Sequence, residues 1–208
     1  TVDIDLARDR SRRTLRVSID SPYERLLSAE GSGTGNPFEL KQFSGELQGS
    51  LSGAGVSYLA QWLQWDLTAE GRADFWLAVN GGRPTAVMQV NLTQIAVTGQ
   101  TALNLEQLRV DSVVEGPFDQ ASIWIDNASL TADDQTFLLP RIHLHRLGRS
   151  WKMLTNRFEV SPLIAALRGS ELLPDKVNEI LETLSPAGAV DRLALTVEAL
   201  DQPLHRWE

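Results

Sequence analysis

Hydrophobic and polar residues alternate along most of this chain. Between Leu67 and Val79, the residues Leu67, Ala69, Ala73, Phe75, Leu77 and Val79 fall on one parity, with Asp66, Thr68, Glu70, Arg72 and Asp74 on the other. Side chains on a strand switch face at every residue, so the pattern predicts a long, half-buried β-strand. At about 3.3 Å per residue it would run ~40 Å, roughly twice the commonest strand length.

Similar runs fill the rest of the sequence. Val2, Ile4 and Leu6 alternate with Asp3 and Asp5, and Leu15, Val17 and Ile19 alternate with Thr14, Arg16 and Ser18. The polar stretch Asp9-Arg10-Ser11-Arg12 between them reads as the Arg-rich tip of an antiparallel hairpin. Asn80-Gly81-Gly82 is a second hairpin turn, and Ala86, Met88, Val90 and Leu92 continue beyond it. The phase slips near Thr93-Gln94, where Ile95 and Val97 take up the other parity. It slips again at Glu106-Gln107, between Leu103-Leu105 and Leu108-Val110-Val114. A slip of one residue without a break predicts a β-bulge. Later strands follow at Ala121-Ile123-Ile125, Leu138-Ile142-Leu144, Trp151 to Val160, and Leu193-Leu195-Val197.

Helical signals are short. Ser21-Pro22-Tyr23-Glu24 predicts a capped helix running to about Ala29, ended by Gly31-Ser32-Gly33-Thr34-Gly35. Phe38 to Ser52 reads as two shorter strands, and Val56 to Trp65 as a second short helix. Ser161-Pro162 opens a helix that Gly169 stops, and Pro174 opens another with Val177, Ile180, Leu181 and Leu184 at helical spacing. A strand leading through Ser-Pro into a short helix thus recurs at Ile19–Leu27 and Phe158–Leu167, with a looser copy at Ser52–Leu63. The fold class is mostly β: one long, twisted antiparallel sheet in a single segment, 1–208, with a helical insertion at about 161–185.

Composition narrows the function classes. The chain has 208 residues, 42% hydrophobic and 22% charged, with a net charge of −8, so clustered cations for a nucleic acid partner are not expected. Cysteine is absent, which excludes disulfides and thiolate metal sites and suits an oxidising compartment. The first residue is Thr1, and the expectation is a segment of something longer. No apolar run reaches the ~18 residues of a membrane-spanning helix.

Candidate chemistry is sparse. There is no G-x-S-x-G elbow, P-loop, H-E-x-x-H motif or EF-hand loop, and no cofactor is implied. Gly31, Gly33 and Gly35 imitate a phosphate-binding turn but read better as a flexible loop. His143 and His145 share one strand face near Asp133 and Asp134; polar-face histidines are the ordinary reading and a metal pair the sharper one. His205 is isolated. Arg8, Arg10, Arg12 and Arg13 form a basic patch, ordinarily a solvated hairpin tip, alternatively a dock for anionic headgroups. Trp62 and Trp65 lie one helical turn apart, where core packing is the default and contact with lipid the alternative. Trp76 and Trp124 sit on the polar parity of their strands and call for a partner or a covering loop.

The stretches Leu139-Pro140-Arg141-Ile142, Trp151, Val160-Ser161-Pro162-Leu163 and Leu184-Ser185-Pro186-Ala187-Gly188-Ala189-Val190 resemble the YhdP family of AsmA-like proteins. The similarity reaches back through Leu67 to Val79 and covers roughly the last two-thirds of the chain. The resemblance implies a U-shaped β-groove built from stacked modules, anchored in the inner membrane of Gram-negative bacteria and crossing the periplasm. Such proteins resemble eukaryotic bridge-like lipid transfer proteins and are linked to phospholipid transport towards the outer membrane. The resemblance carries no catalytic residue.

The expected function is therefore a non-enzymatic, periplasmic segment that shields phospholipid acyl chains, continued by neighbouring segments of the same chain. Membrane contact would come through parts absent from this sequence. Leu67, Ala73, Phe75, Leu77, Val79, Met88, Val90 and Leu92 share parity on neighbouring strands and are the expected groove lining. The alternative is a structural or protein-binding β-module, a closed sandwich in an envelope assembly factor.

Overall fold

Each alternating run pairs with its neighbour in sequence, the cheapest connection for antiparallel strands. The computed structural model describes residues 1–36, 39–62, 66–98, 103–117, 120–132, 135–148, 150–162, 164 and 175–198. Within these, β1 (Val2–Asp9), β2 (Arg12–Asp20), β3 (Arg25–Thr34), β4 (Ser44–Ser52), β5 (Asp66–Asn80), β6 (Arg83–Thr98), β7 (Leu103–Glu115) and β8 (Ser122–Ala132) form a meander. It continues through β9 (Gln135–Leu138), β10 (Ile142–Leu147), β11 (Ser150–Thr155) and, after the helical insertion, β14 (Ala194–Glu198). The result is one open antiparallel sheet of 12 strands, with β1 and β14 at its edges. A separate two-stranded ribbon joins β12 (Phe158–Glu159) to β13 (Ala189–Val190). It brackets α2 (Asp175–Leu184), while α1 (Gly53–Trp62) connects β4 to β5.

The β5–β6 hairpin turns on Gly81 and Gly82, at φ 54° and 82°. Two successive positive φ values are what the right-handed twist of a two-residue hairpin requires. The phase slip at Thr93-Gln94 is a bulge: Gln94 has φ 49°, and the β5–β6 register shifts between Thr68 and Glu70. The second slip lies directly opposite, because Thr93 pairs with Gln107. The two strands therefore change phase together, and Leu92 and Ile95 stay in one cluster with Leu105. The β6–β7 register itself runs on unshifted there; further register shifts lie between Ile19 and Asp20, and between Asp111 and Ser112, where Asp126 of β8 is the extra residue.

β9 and β10 share one edge of β8 in a single register, with Ser129 opposite Leu138 and Ile125 opposite Ile142. Pro140, which has no N–H to donate, interrupts an otherwise continuous return strand. Leu139 still donates its N–H to the Ala128 carbonyl at 2.9 Å, and Arg141 Nε meets Asp126 Oδ1 at 2.7 Å.

Four expectations need correction. Ser21 does cap, its Oγ accepting the N–H groups of Tyr23 and Glu24 at 3.2 and 2.9 Å, but it closes a tight turn and no helix follows. Residues 25–34 pair with β2 on one side and β4 on the other. Two ladders outweigh one short helix, which is marginal at that length. Gly31 and Gly33 accordingly lie inside β3, not in a loop. The stretch 39–52 holds one strand, β4, preceded by a 3-10 turn at Leu40–Gln42, rather than two strands. The strand–Ser-Pro–helix repeat fails at its first copy for the reason just given. Around its second copy residues 160–162 are helical; Leu163, Leu167, Gly169 and Pro174 lie outside the described residues, as do Phe38, Trp65, Asp133, Asp134 and His205.

Gly71, at φ 96°, packs its backbone against the Asn91 carbonyl, so a side chain there is strained twice over. Gly71→Ala is expected to lower stability by about 1–3 kcal/mol. Gly81→Asn, where nothing lies within 4 Å, should stay within ~0.5 kcal/mol of wild type. Urea unfolding of the two variants measures both.

Candidate functional site

Registers across the sheet place one continuous file of apolar residues on a single face: Leu6, Leu15, Gly31, Leu47, Leu77, Ala86, Val114, Ile123, Leu144, Met153 and Leu195. Each is the direct partner of the next, and no polar side chain interrupts them. At about 4.8 Å between strands the file runs roughly 48 Å. A parallel file, from Ile4 and Val17 through Ala29, Gly49, Phe75 and Met88 to Ile125 and Ile142, contains Ser112 and then ends at Thr155. These are the two buried polar residues of the face. A third file, from Val2 through Ile19, Leu27, Leu51, Ala73, Val90 and Val110 to Ala128, is wholly apolar.

The cover over this face is partial. Val56 of α1 packs with Leu67, Ala69, Val90, Val97, Leu108 and Leu130 around the buried cluster Leu92, Ile95, Leu105 and Ala132. That closes the end of the sheet beside the β6 bulge. Elsewhere no large side chain is fully buried among the described residues, and no second sheet packs on the first. The closed sandwich of the alternative reading is therefore corrected: the sheet is a single open layer with a helix over one end.

The expected lining residues divide accordingly. Ala73, Phe75, Leu77 and Val79 are half-buried on the open part of the face, and Met88 is 43% exposed there. Leu92, 4% exposed, sits inside the closed cluster, and Leu67 and Val90 pack against it. The structure thus splits a set that one parity had joined.

A trough of about 300 Å³ lies on the open part, between β1 and β5. Leu6, Leu15, Leu47, Leu77, Val79 and Phe43 wall it, and Gly31, Gly33 and Gly45 form its floor. The glycines make room. A Cβ on Gly33 or Gly45 would come 2.6 Å from the Phe43 ring, and one on Gly49 would come 2.6 Å from the Phe75 ring. The aromatic rings consequently lie down across the backbone. Sequence reasoning missed this stripe; its signal was glycine repeated on one parity within a strand, at 31 and 33, then at 45 and 49.

The opposite face is polar and cross-linked. Gln48 donates to Glu30 at 2.8 Å, Gln107 to Asn91 at 3.0 Å and Asn127 to Asp111 at 3.2 Å. A file of aromatic and aliphatic side chains crosses it: Trp76, Val87, Val113, Trp124, His143 and Leu154. Trp124 finds its partner in His143, stacked at 4.6 Å and 6°. His145 Nδ1 lies 2.8 Å from Ser122 Oγ, and the two histidine rings are 6.1 Å apart. No group of three metal-ligating side chains occurs among the described residues. Trp62 departs from its default reading: it is 74% exposed on α1, its ring 6.1 Å from Tyr58. The Arg25 guanidinium is held above its usual range first by its hydrogen bond to Asp20 and then by that carboxylate's charge, which fastens the β2–β3 corner.

Among the described residues, no nucleophile, acid–base pair or metal set converges on the trough. Comparison with protein-family models, curated proteins and solved structures gives no match to this chain.

His143 Nε2 is buried without a hydrogen-bond partner. Replacing an unsatisfied polar atom by an apolar group removes a desolvation penalty. His143→Leu is therefore expected to leave stability unchanged or raise it by up to ~1 kcal/mol. A loss above about 2 kcal/mol on thermal unfolding would mean the ring does more than stack on Trp124.

Proposed function

We propose that this chain is a non-enzymatic segment of a lipid-conducting protein, and that its open apolar face carries phospholipid acyl chains. The observation that supports it is the unbroken file of apolar residues from Leu6 to Leu195, on a face whose cover, among the described residues, is the cluster beside α1. Moving a two-chain phospholipid bare through water exposes about thirty methylenes, a barrier on the order of 20 kcal/mol. A strip of alternate strand residues lowers that barrier along its whole length while the headgroup stays wet. The strip runs across the strands, so adding strands at an edge lengthens the path. Val2, Ile4 and Leu6 of edge strand β1 are 61%, 62% and 74% exposed, which suits continuation by a neighbouring segment of the same chain.

The resemblance to the YhdP family supports the same reading and adds its setting: a periplasmic path between inner and outer membranes, anchored through parts outside this sequence. No helix among the described residues is long and apolar enough to cross a membrane. Aliphatic walls discriminate poorly among acyl chains, so broad lipid selectivity is expected.

A photo-crosslinking residue at Phe75 or Met88, on the open face, should capture phospholipid in cells. The same probe at Arg72 or Asp74, which pair with Asn91 and Gln89 on the polar face, should capture little. Equal capture from both faces, or capture from Arg72 and Asp74 alone, defeats the proposal. Native mass spectrometry of gently purified chain gives an independent reading through co-purifying lipid.

A further inference from the structure

The basic hairpin tip has a placement that composition alone does not reveal. Arg8 and Arg13 are direct cross-strand partners, and their parity is that of Leu6 and Leu15. They therefore share the apolar face, at the end of the trough, and Arg13 is one of its lining residues. Arg12 is on the other face, where its guanidinium donates to Ser32 Oγ at 3.0 Å, and Arg10 occupies the turn at φ 52°. The arginines thus divide into Arg8 and Arg13 on the trough face, Arg12 on the other face and Arg10 in the turn.

Like charges directly opposite on a strand pair repel. Arg8 donates Nε to the Arg10 carbonyl at 3.1 Å, and no carboxylate lies within ion-pairing distance of Arg8 or Arg13 among the described residues. The chain as a whole carries −8, so this local excess of cation is not general surface composition. Guanidinium groups on two directly paired residues of one face are within reach of the oxygens of a single phosphate. Directly behind them lies about 300 Å³ of trough. At roughly 30 Å³ for each water-sized group, that space takes about ten methylenes.

We infer that Arg8 and Arg13 form a headgroup site, holding the phosphate of an anionic glycerophospholipid whose acyl chain lies along Leu6, Leu15, Leu47 and Leu77. The inference rests on the lipid-conducting reading and adds to it a polar anchor point at the β1–β2 end. Charge complementarity selects the occupant: an uncharged amphiphile fills the trough and leaves the arginine pair unsatisfied.

The test uses the whole chain and calorimetric titration with three probes: a short-chain phosphatidylglycerol below its micelle concentration, an uncharged maltoside of equal chain length, and inorganic phosphate. Two double variants, R8Q/R13Q and R10Q/R12Q, each remove two positive charges from the same hairpin. The site requires that R8Q/R13Q weaken phosphatidylglycerol binding about tenfold or more while maltoside binding holds. R10Q/R12Q should weaken it less than about threefold, since charges in the turn and on the far face act only through a screened field. Equal loss in the two variants, or none in R8Q/R13Q, overturns the headgroup site alone if the maltoside still binds. Inorganic phosphate binding as tightly as the lipid overturns the lipid as its source. Failure of wild type to bind either amphiphile sinks the conducting function and this site with it.

Discussion

Register is the constraint on which the rest of this structure depends. Side chains on a strand have a period of two, so a slip of one residue in any pair would send that strand's apolar set to the opposite face. Three pairs shift by one residue at bulges, but none does so along the main file, where Leu6 is joined to Leu195 through direct partners only. Where the sequence does change phase, the sheet absorbs it. The bulge at Gln94 lies opposite Gln107, so β6 and β7 turn over together and their leucines remain on one side. A change of phase on one strand alone would have buried polar groups beneath α1.

A single layer built this way has unusual energetics. Its long ladders satisfy backbone hydrogen bonds in quantity, but the buried hydrophobic residues are few, and alanines are prominent among them. Most of the apolar face is only half-buried, so its side chains keep part of the free energy they could still gain by being covered. The closed cluster around Leu92 and Ile95 marks where the chain covers itself, using one helix. Beyond it, Gly31, Gly33, Gly45 and Gly49 lower the floor, and Phe43 and Phe75 lie across them. The same glycines that weaken strands by lacking side chains leave the depression that a guest could fill.

Charge follows the same geometry. On the outer face, amide and carboxylate side chains pair across strands, and Trp124 hides its ring against His143. On the inner face, Arg8 and Arg13 are direct partners at one end of a largely apolar trough. The contrast between paired polar groups outside and two cations with no carboxylate partner among the described residues inside is a property of parity, not of overall composition.

Much of this was legible in the residues themselves. The alternation at Leu67–Val79 determines a strand, Asn80-Gly81-Gly82 determines a two-residue turn, and the slips at Thr93-Gln94 and Glu106-Gln107 mark a shared change of phase, because all three are local consequences of side-chain period and backbone torsion. The segment after Ser21-Pro22 was not legible: its cap is real, yet two flanking ladders convert the expected helix into β3. Leu92 and Met88 show the limit most clearly. They share one parity, which fixes their common face, but only the distant placement of Val56 and Leu105 makes Leu92 core and leaves Met88 open. Which face a side chain takes is a local matter of torsion; whether that face is covered depends on contacts between parts of the chain far apart in sequence, and only the tertiary structure decides it.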